Sequence, residues 1–443
     1  MPTPTARPTA PAGTGAPVTP EGKALLALID GVLPQIRDSA QHNDHHGSFP
    51  FDTFDTFRRN GVMGATVPAQ LGGLGVGLLG DVALALLAVA HADASTALAL
   101  HVQFSRGLTL AYEWRHGTAP ARMAAERLLR SMATGEAVVC GAVKDHPSAV
   151  TRLVPDGSGG WLLSGRKTLV TLAPIGTHFV IHAQRQVEGE PTALAAPVLT
   201  RDTPGFSVID TWDGLGMRAS GTVDVAFDRC PVPDERVVVR TAVGARDDAV
   251  LAGQTVSSIT MLGIYVGVAQ AARDIAVAEC RGRRAHPPAA VRTLVAEIEA
   301  RLYALRVTAA SALAEADAVA EGIVDDPAER GRRMMTPFQC AKMTVNHMAL
   351  AIVNDCLTVV GGAAYSGGHP LARLYRDVRA GWFMQPYTYV DGVDYLSGQA
   401  LGLDHDNDYV SARASRPVGE RSVPATARRS NPRDAAPSGR LQP

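Results

Sequence analysis

"DGLGMRASGTVDVAFDRCPVPDERVV", residues 213 to 238, turns repeatedly on glycine and then runs into a strand. Gly214, Gly216 and Gly221 supply the turns. Thr222 to Phe227 is β-branched and apolar at alternate positions, and Pro231 closes it. Upstream the same texture reaches back to about residue 137. "AVVCGAV", "GWLLSGRKTLVTL" and "HFVIHAQ" repeat with a period near two, and "PDGSGG" at 155–160 is turn chemistry between two of them. A compact β-domain over residues 136–242 is predicted.

On both sides the period changes to three and four. "GKALLALIDGVLPQI", "GDVALALLAVAHA" and "MAAERLLRSMA" predict helices over 21–135. "SSITMLGIYVGVAQAARDIAVAEC", "PAAVRTLVAEIEARLYALRVTAASALAEADAVA" and "MTPFQCAKMTVNHMALAIVNDCLTVV" predict long antiparallel helices over 243–404. Residues 1–20 are rich in Pro, Thr, Ala and Gly, and 405–443 are polar and broken by proline. A disordered leader and a disordered tail are expected there. The fold class is α+β, mostly α: a helical domain, a central barrel-like β-domain and a helical bundle.

Bulk properties exclude several functions. The 443 residues carry a formal net charge of -1 and are 46% hydrophobic, so no broad field draws the chain to nucleic acid or an anionic membrane. Five cysteines lie scattered with no paired spacing, which argues against a zinc site or disulfide framework and for a reducing compartment. No apolar run approaches the ~20 residues of a membrane helix, and the start has no signal-like apolar segment. A cytoplasmic protein is expected. No GxGxxG follows a strand, so a Rossmann nucleotide site is not indicated.

Taken whole, residues 213–238 resemble the middle-domain signature of the acyl-CoA dehydrogenase flavoproteins. Three more regions agree in order and spacing: "GVMGATVPAQLGGLG" (61–75), "LLSGRKTLVTLA" (162–173) and "VVGGAAYSGGHPLARLYRDVRA" (359–380). The resemblance covers about residues 25–402 and implies an N-terminal helical domain, a middle β-domain and a C-terminal four-helix bundle. It also implies bound FAD, or FMN if the chain is a monooxygenase, with the flavin ring between β-domain and bundle.

The implied cofactor contacts are uneven. Thr171 matches the family's ring-contacting threonine, whose hydroxyl can bond the flavin edge. Leu169 stands where an aromatic usually covers the ring. Gly141 and Ala142 offer backbone amides, although "CGAVKDHPSA" (140–149) has no side-chain counterpart in the family. Gly361 and Gly362 match a close backbone contact to a neighbouring subunit's flavin, with Thr358 at the family's Gln position. Arg283 matches a pyrophosphate-binding arginine, with Arg281 and Arg284 as alternatives. A site shared between subunits implies a homodimer or homotetramer.

The family's dehydrogenation needs a carboxylate to take the acidified α-proton. In its commonest register that residue lies nine after Arg376, which is Gln385, a neutral amide. In a second register it lies ten before Gly267, which is Ser257, with Ser258 where many relatives have Arg. Asp391, Asp394, Tyr387 or Tyr389 remain as displaced bases, the two tyrosines also as flavin contacts, while the aspartates are more readily helix caps or solvent-facing. A different chemistry is also open. Flavin monooxygenases of this fold oxygenate N, S or aromatic carbon without such a base, and "MQPYTY" (384–389) is similar to their "HDPxxY", with Met384 in place of His.

The leading expectation is an FAD-dependent oxidoreductase that dehydrogenates an acyl thioester of CoA or a carrier protein, passing electrons to a separate acceptor. The first alternative is a reduced-flavin monooxygenase served by a separate flavin reductase. The second is a non-catalytic flavoprotein subunit.

Overall fold

In the computed structural model the described residues are 15–403, except 210, 211, 284, 285, 323 and 325. Most of the leader and the whole tail expected at 405–443 therefore lie outside the described residues, as does Arg284. The chain runs helices, sheet, helices.

The first helices are α1 (Pro20–Asp30), α2 (Leu33–His46), α3 (Phe51–Arg59), α4 (Leu79–Ala92), α5 (Ala94–His116) and α6 (Ala119–Ala133). The run "GKALLALIDGVLPQI" is two helices rather than one, broken after Asp30 and restarted with Pro34 in its first turn, where a missing N–H costs nothing. Asp93 caps α5 by accepting from the Thr96 N–H at 2.8 Å.

The sheet holds β1 (Val139–Ala142), β2 (Arg152–Pro155), β3 (Trp161–Val170), β4 (His178–Ile181), β5 (Ala183–Arg185), β6 (Ala193–Thr200), β7 (Phe206–Ile209), β8 (Val223–Val232) and β9 (Val237–Ala242). Their order is β1-β4-β6-β5-β2-β3-β8-β7, with β9 against β6. Strand β8 does not stop at Pro231: that residue pairs with Leu162 and the strand continues to Val232.

The C-terminal helices are α7 (Val250–Ser258), α8 (Leu262–Arg283), α9 (Ala289–Glu321), α10 (Pro327–Val360), α11 (Pro370–Val378) and α12 (Tyr389–Leu401). The predicted single helix from "SSITMLG" onward is interrupted by a tight turn at Ile259–Met261. Helix α4 crosses α8 so closely that a Cβ on Gly263 would meet the Ala83 carbonyl at 2.1 Å. The buried Arg373–Asp93 ion pair ties α11 to the start of α5.

Contrary to the sequence expectation, Val250–Arg283 and Pro327–Val360 are each long and apolar enough to cross a bilayer by length and composition. The first has 89% of its apolar window buried within the protein, as a core helix would. The second is 39% buried and packs on α8 and α9 in the bundle.

Candidate functional site

Between the β-domain, α5 and the C-terminal bundle lies a cavity of about 390 Å³. Helix α5 supplies Leu98, His101, Val102 and Ser105 at helical spacing, one face of a regular helix. Arg106, the next residue, also reaches the cavity and packs beside Gly141 of β1.

The end of β3 is shaped by a bulge. Its register against β8 shifts between Lys167 and Val170, and within that shift Leu169 takes φ 59°. Leu172 (φ 68°) and Met217 (φ 52°) are likewise left-handed. A left-handed backbone costs a Cβ-bearing residue roughly 1–2 kcal/mol, and such strain gathers where function needs a side chain re-aimed. Here it turns Leu169 out, 41% exposed, onto the cavity while Thr171 lines it and shares a 2.9 Å hydrogen bond with Thr222.

Two buried lysines brace opposite walls. Lys167 meets Asp145 at 2.7 Å and donates to the Val143 carbonyl, and the Thr151 N–H and hydroxyl also donate to Asp145. On the bundle side the Lys342 ammonium donates to the carbonyls of Met384 and Tyr387, pinning the segment that carries Met384 and Gln385 into the cavity. Burial pushes Lys342 down to about 7, with Asp391 opposing.

The loop at 213–217 is locked from behind. Asp377 accepts from the Met217 N–H at 2.6 Å, and Arg376 pairs with Asp44 while donating to the Leu215 carbonyl. A Cβ on Gly216 would strike the Arg376 carbonyl at 2.4 Å, so only glycine lets this loop lie on α11. The completely buried Asp377 carboxyl is pushed up to about 7.

The electrostatics of the lining are one-sided. Arg106, Lys144, Arg376 and Arg379 line it, and among the described residues no Asp or Glu does. Burial drives His101 down to about 3, helped by Arg106, so it is a neutral imidazole bonded to Thr260. Arg376 is balanced by Asp44, whereas the Lys144 and Arg379 side chains make no hydrogen bond or ion pair to another described residue. The Gln385 Oε1 and Trp212 Nε1 are buried at this cavity without a hydrogen-bond partner among the described residues.

Of the residues singled out in the sequence, Gly141, Leu169, Thr171, Ser257, Ser258, Met384 and Gln385 meet at the cavity. Ala142 is adjacent but fully buried and does not line it. Asp391 and Asp394 are not brought there. Asp391 accepts from both the N–H and the hydroxyl of Thr388, a capping box that starts α12, so its carboxylate belongs to a helix end. Asp394 lies further along α12, away from the lining. Tyr387 is buried and stacked on Tyr395, and Tyr389 sits edge-on to Trp382.

The proposed pyrophosphate residues stand elsewhere. Arg283 donates to the Val360 carbonyl and pairs with Glu279, beside Gly361 and Gly362 at the end of α10, and Thr358 bonds back to Asn354. None of these lines the cavity.

His101, Arg106, Lys144, Trp212 and Arg379 were not picked out as site residues from the sequence. For Lys144 a signal existed: it is one of four lysines among 42 basic residues, and three of those four stand at or directly behind this cavity.

The acyl-CoA dehydrogenase N-terminal, middle and C-terminal domains match residues 28–136, 141–230 and 250–385. An L-evernosamine nitrososynthase from a Micromonospora species is 65% identical over 401 residues, 90% of this chain and 95% of that protein. The crystal structure of KijD3, in complex with FMN and dTDP-3-amino-2,3,6-trideoxy-4-keto-3-methyl-D-glucose, is 65% identical with a TM-score of 0.88 over 90% of this chain and 98% of that one. Butyryl-CoA dehydrogenase from Megasphaera elsdenii shares the fold, with a TM-score of 0.75 at 20% identity over 87% of this chain and 99% of that one.

Proposed function

The chain belongs to the acyl-CoA dehydrogenase family of flavin-dependent oxidoreductases, and within it we propose a reduced-flavin-dependent N-oxygenase acting on the primary amine of a nucleotide-linked amino sugar. The observation that carries this reading is the cavity lining, with four cations and no carboxylate among the described residues. It displaces the thioester-dehydrogenase expectation, because α-proton removal needs a base where Gln385, Ser257 and a neutral His101 stand.

The same lining suits an amine. Oxygen transfer to nitrogen needs the lone pair free, and surrounding positive charge disfavours the ammonium form. Arg106 would help hold the substrate amine neutral, and the Gln385 Oε1 would accept one of its N–H bonds and orient it.

A flavin fits the slot between Leu169 and Thr171 on one side and Met384 and Gln385 on the other. The strained, uncovered Leu169 and the buried Trp212 N–H without an acceptor both await a flat polar ligand. Bound in reduced form it would supply, with O2, one electrophilic oxygen per two-electron step, taking amine to hydroxylamine and then to nitroso with two O2 and two reduced flavins consumed. FMN, as in the KijD3 complex, replaces FAD as the favoured cofactor, with a separate flavin reductase as partner. Thr171 would bond the ring edge; Arg283, Gly361, Gly362 and Thr358 have no part in this single-chain site. The exposed Tyr389, Val390 and Val393 of α12 suit a homo-oligomer contact.

The test supplies FMN, a flavin reductase, NADH and O2 with a dTDP-3-amino sugar and follows product mass. Substrate-dependent N-oxidation is expected, with no bleaching of oxidised flavin by any acyl-CoA under anaerobic conditions. Bleaching by a thioester, with the amine untouched, would overturn the reading.

A further inference from the structure

Two of the cavity's cations have no side-chain partner among the described residues, and amine oxidation itself gives neither of them an anion. We propose that Lys144 and Arg379 form a phosphoryl anchor that binds the phosphate ester or diphosphate of the cavity's ligand. The proposal rests on the N-oxygenase reading only for what hangs from that phosphate.

The four lining cations are not equivalent. Arg376 is neutralised by buried Asp44 and spends a further N–H on Leu215, so it is committed to the protein. Arg106 is packed into the wall beside Gly141. Lys144 is exposed just after β1, and Arg379 is half-buried just after α11, so the two come from opposite walls. Neither side chain bonds or pairs with another described residue, and no acid among the described residues lines the cavity to satisfy them. An anion between them would be held by both domains at once, through charge-assisted bonds roughly twice as strong as neutral ones.

The surroundings point to a nucleotide rather than to bare phosphate. Leu215 and Phe383 are 69% and 64% exposed at the same cavity, and Trp212 lines it with them. Large apolar side chains left open beside unpaired cations make a platform for a flat heterocycle joined to a phosphate. The anion has two sources, the 5′-phosphate of FMN and the diphosphate of a nucleotide-linked substrate.

The experiment is a pair of affinity ladders on the full chain, measured by titration calorimetry. Thymidine and dTDP are titrated into the FMN-loaded protein, and riboflavin and FMN into the flavin-stripped protein. Lys144→Gln, Arg379→Gln and the double variant are compared with the unaltered chain. Lys144 is exposed and unpartnered, so its variant retains the fold, which the unfolding temperature verifies.

The expected result is at least a tenfold loss of dTDP affinity in the double variant with thymidine unchanged, which assigns the anchor to the substrate. A tenfold loss for FMN with riboflavin unchanged also supports the anchor and assigns it to the flavin. If neither ladder moves by more than twofold, the proposal is overturned. Binding is read without turnover, so a protein that holds dTDP through these cations yet oxidises no amine would fail the N-oxygenase reading and keep the anchor.

Discussion

Lys167 and Lys342 are buried behind opposite walls of one cavity, and the fold holds their charges in different ways. Behind the β-domain wall, Lys167 has a carboxylate at 2.7 Å, itself held by the Thr151 N–H and hydroxyl. Behind the bundle wall, Lys342 bonds, among the described residues, to two backbone carbonyls, with Asp391 near but committed to the cap of α12. The first is a charge neutralised by charge. The second is a charge used to hold a loop, and burial brings it down to about 7. A rigid wall and a latched wall thus face each other across the cavity. The compact ammonium fits both places, where a planar guanidinium would need more room.

Breaking the ion pair has the largest expected effect. Lys167→Met strands the Asp145 carboxylate with no counter-charge, at a cost of about 3–5 kcal/mol, read as a fall in the denaturant midpoint. A loss below about 1 kcal/mol would mean that the wall tolerates an unpaired charge and that the comparison is wrong.

Lys342→Met should cost less, about 1–3 kcal/mol, since it unmakes hydrogen bonds to carbonyls rather than an ion pair. Its mark falls on the site: with the Met384–Tyr387 segment unlatched, kcat for N-oxidation should drop further than the affinity for dTDP. Equal losses in both would make Lys342 a stabilising residue only.

The smallest effect concerns Asp377, the buried carboxyl that receives the Met217 N–H. Its folded value of about 7 lies above the ordinary carboxylate value, so the folded state binds the proton more tightly. The resulting stability is fully present below about pH 4 and is lost as pH rises through about 7. Asp377→Asn, which keeps the acceptor but cannot ionise, should flatten this decline in unfolding curves taken from pH 4 to 8. An unchanged slope would show that Asp377 ionises freely in the fold.

Much of this was legible in the sequence, and the parts that were not share a reason. Helix–sheet–helix order followed from the change of period at residues 137 and 243. Gln385 and Ser257, found by counting from Arg376 and Gly267, do meet at one cavity although 128 residues separate them. Asp391 was open as a base, yet "TYVD" at 388–391 already spells a capping box, a local signal stronger than nearness along the chain.

The cationic lining was not legible. Nearly all basic residues are arginine, so Arg379 looks like any other until the fold shows which ones have partners. The left-handed turn at Leu169 was equally hidden, because a bulge imposed by β8 creates it rather than any glycine at that position.

We propose nitrogen oxygenation, rather than thioester dehydrogenation, at a cavity with no carboxylate among its described lining residues. The most direct test is turnover of a dTDP-3-amino sugar with FMN, flavin reductase and NADH under ¹⁸O2, followed by mass spectrometry. The account predicts an N-oxidised sugar carrying ¹⁸O from the gas. Unlabelled or unchanged amino sugar, together with flavin bleached by an acyl-CoA in the absence of oxygen, would contradict it.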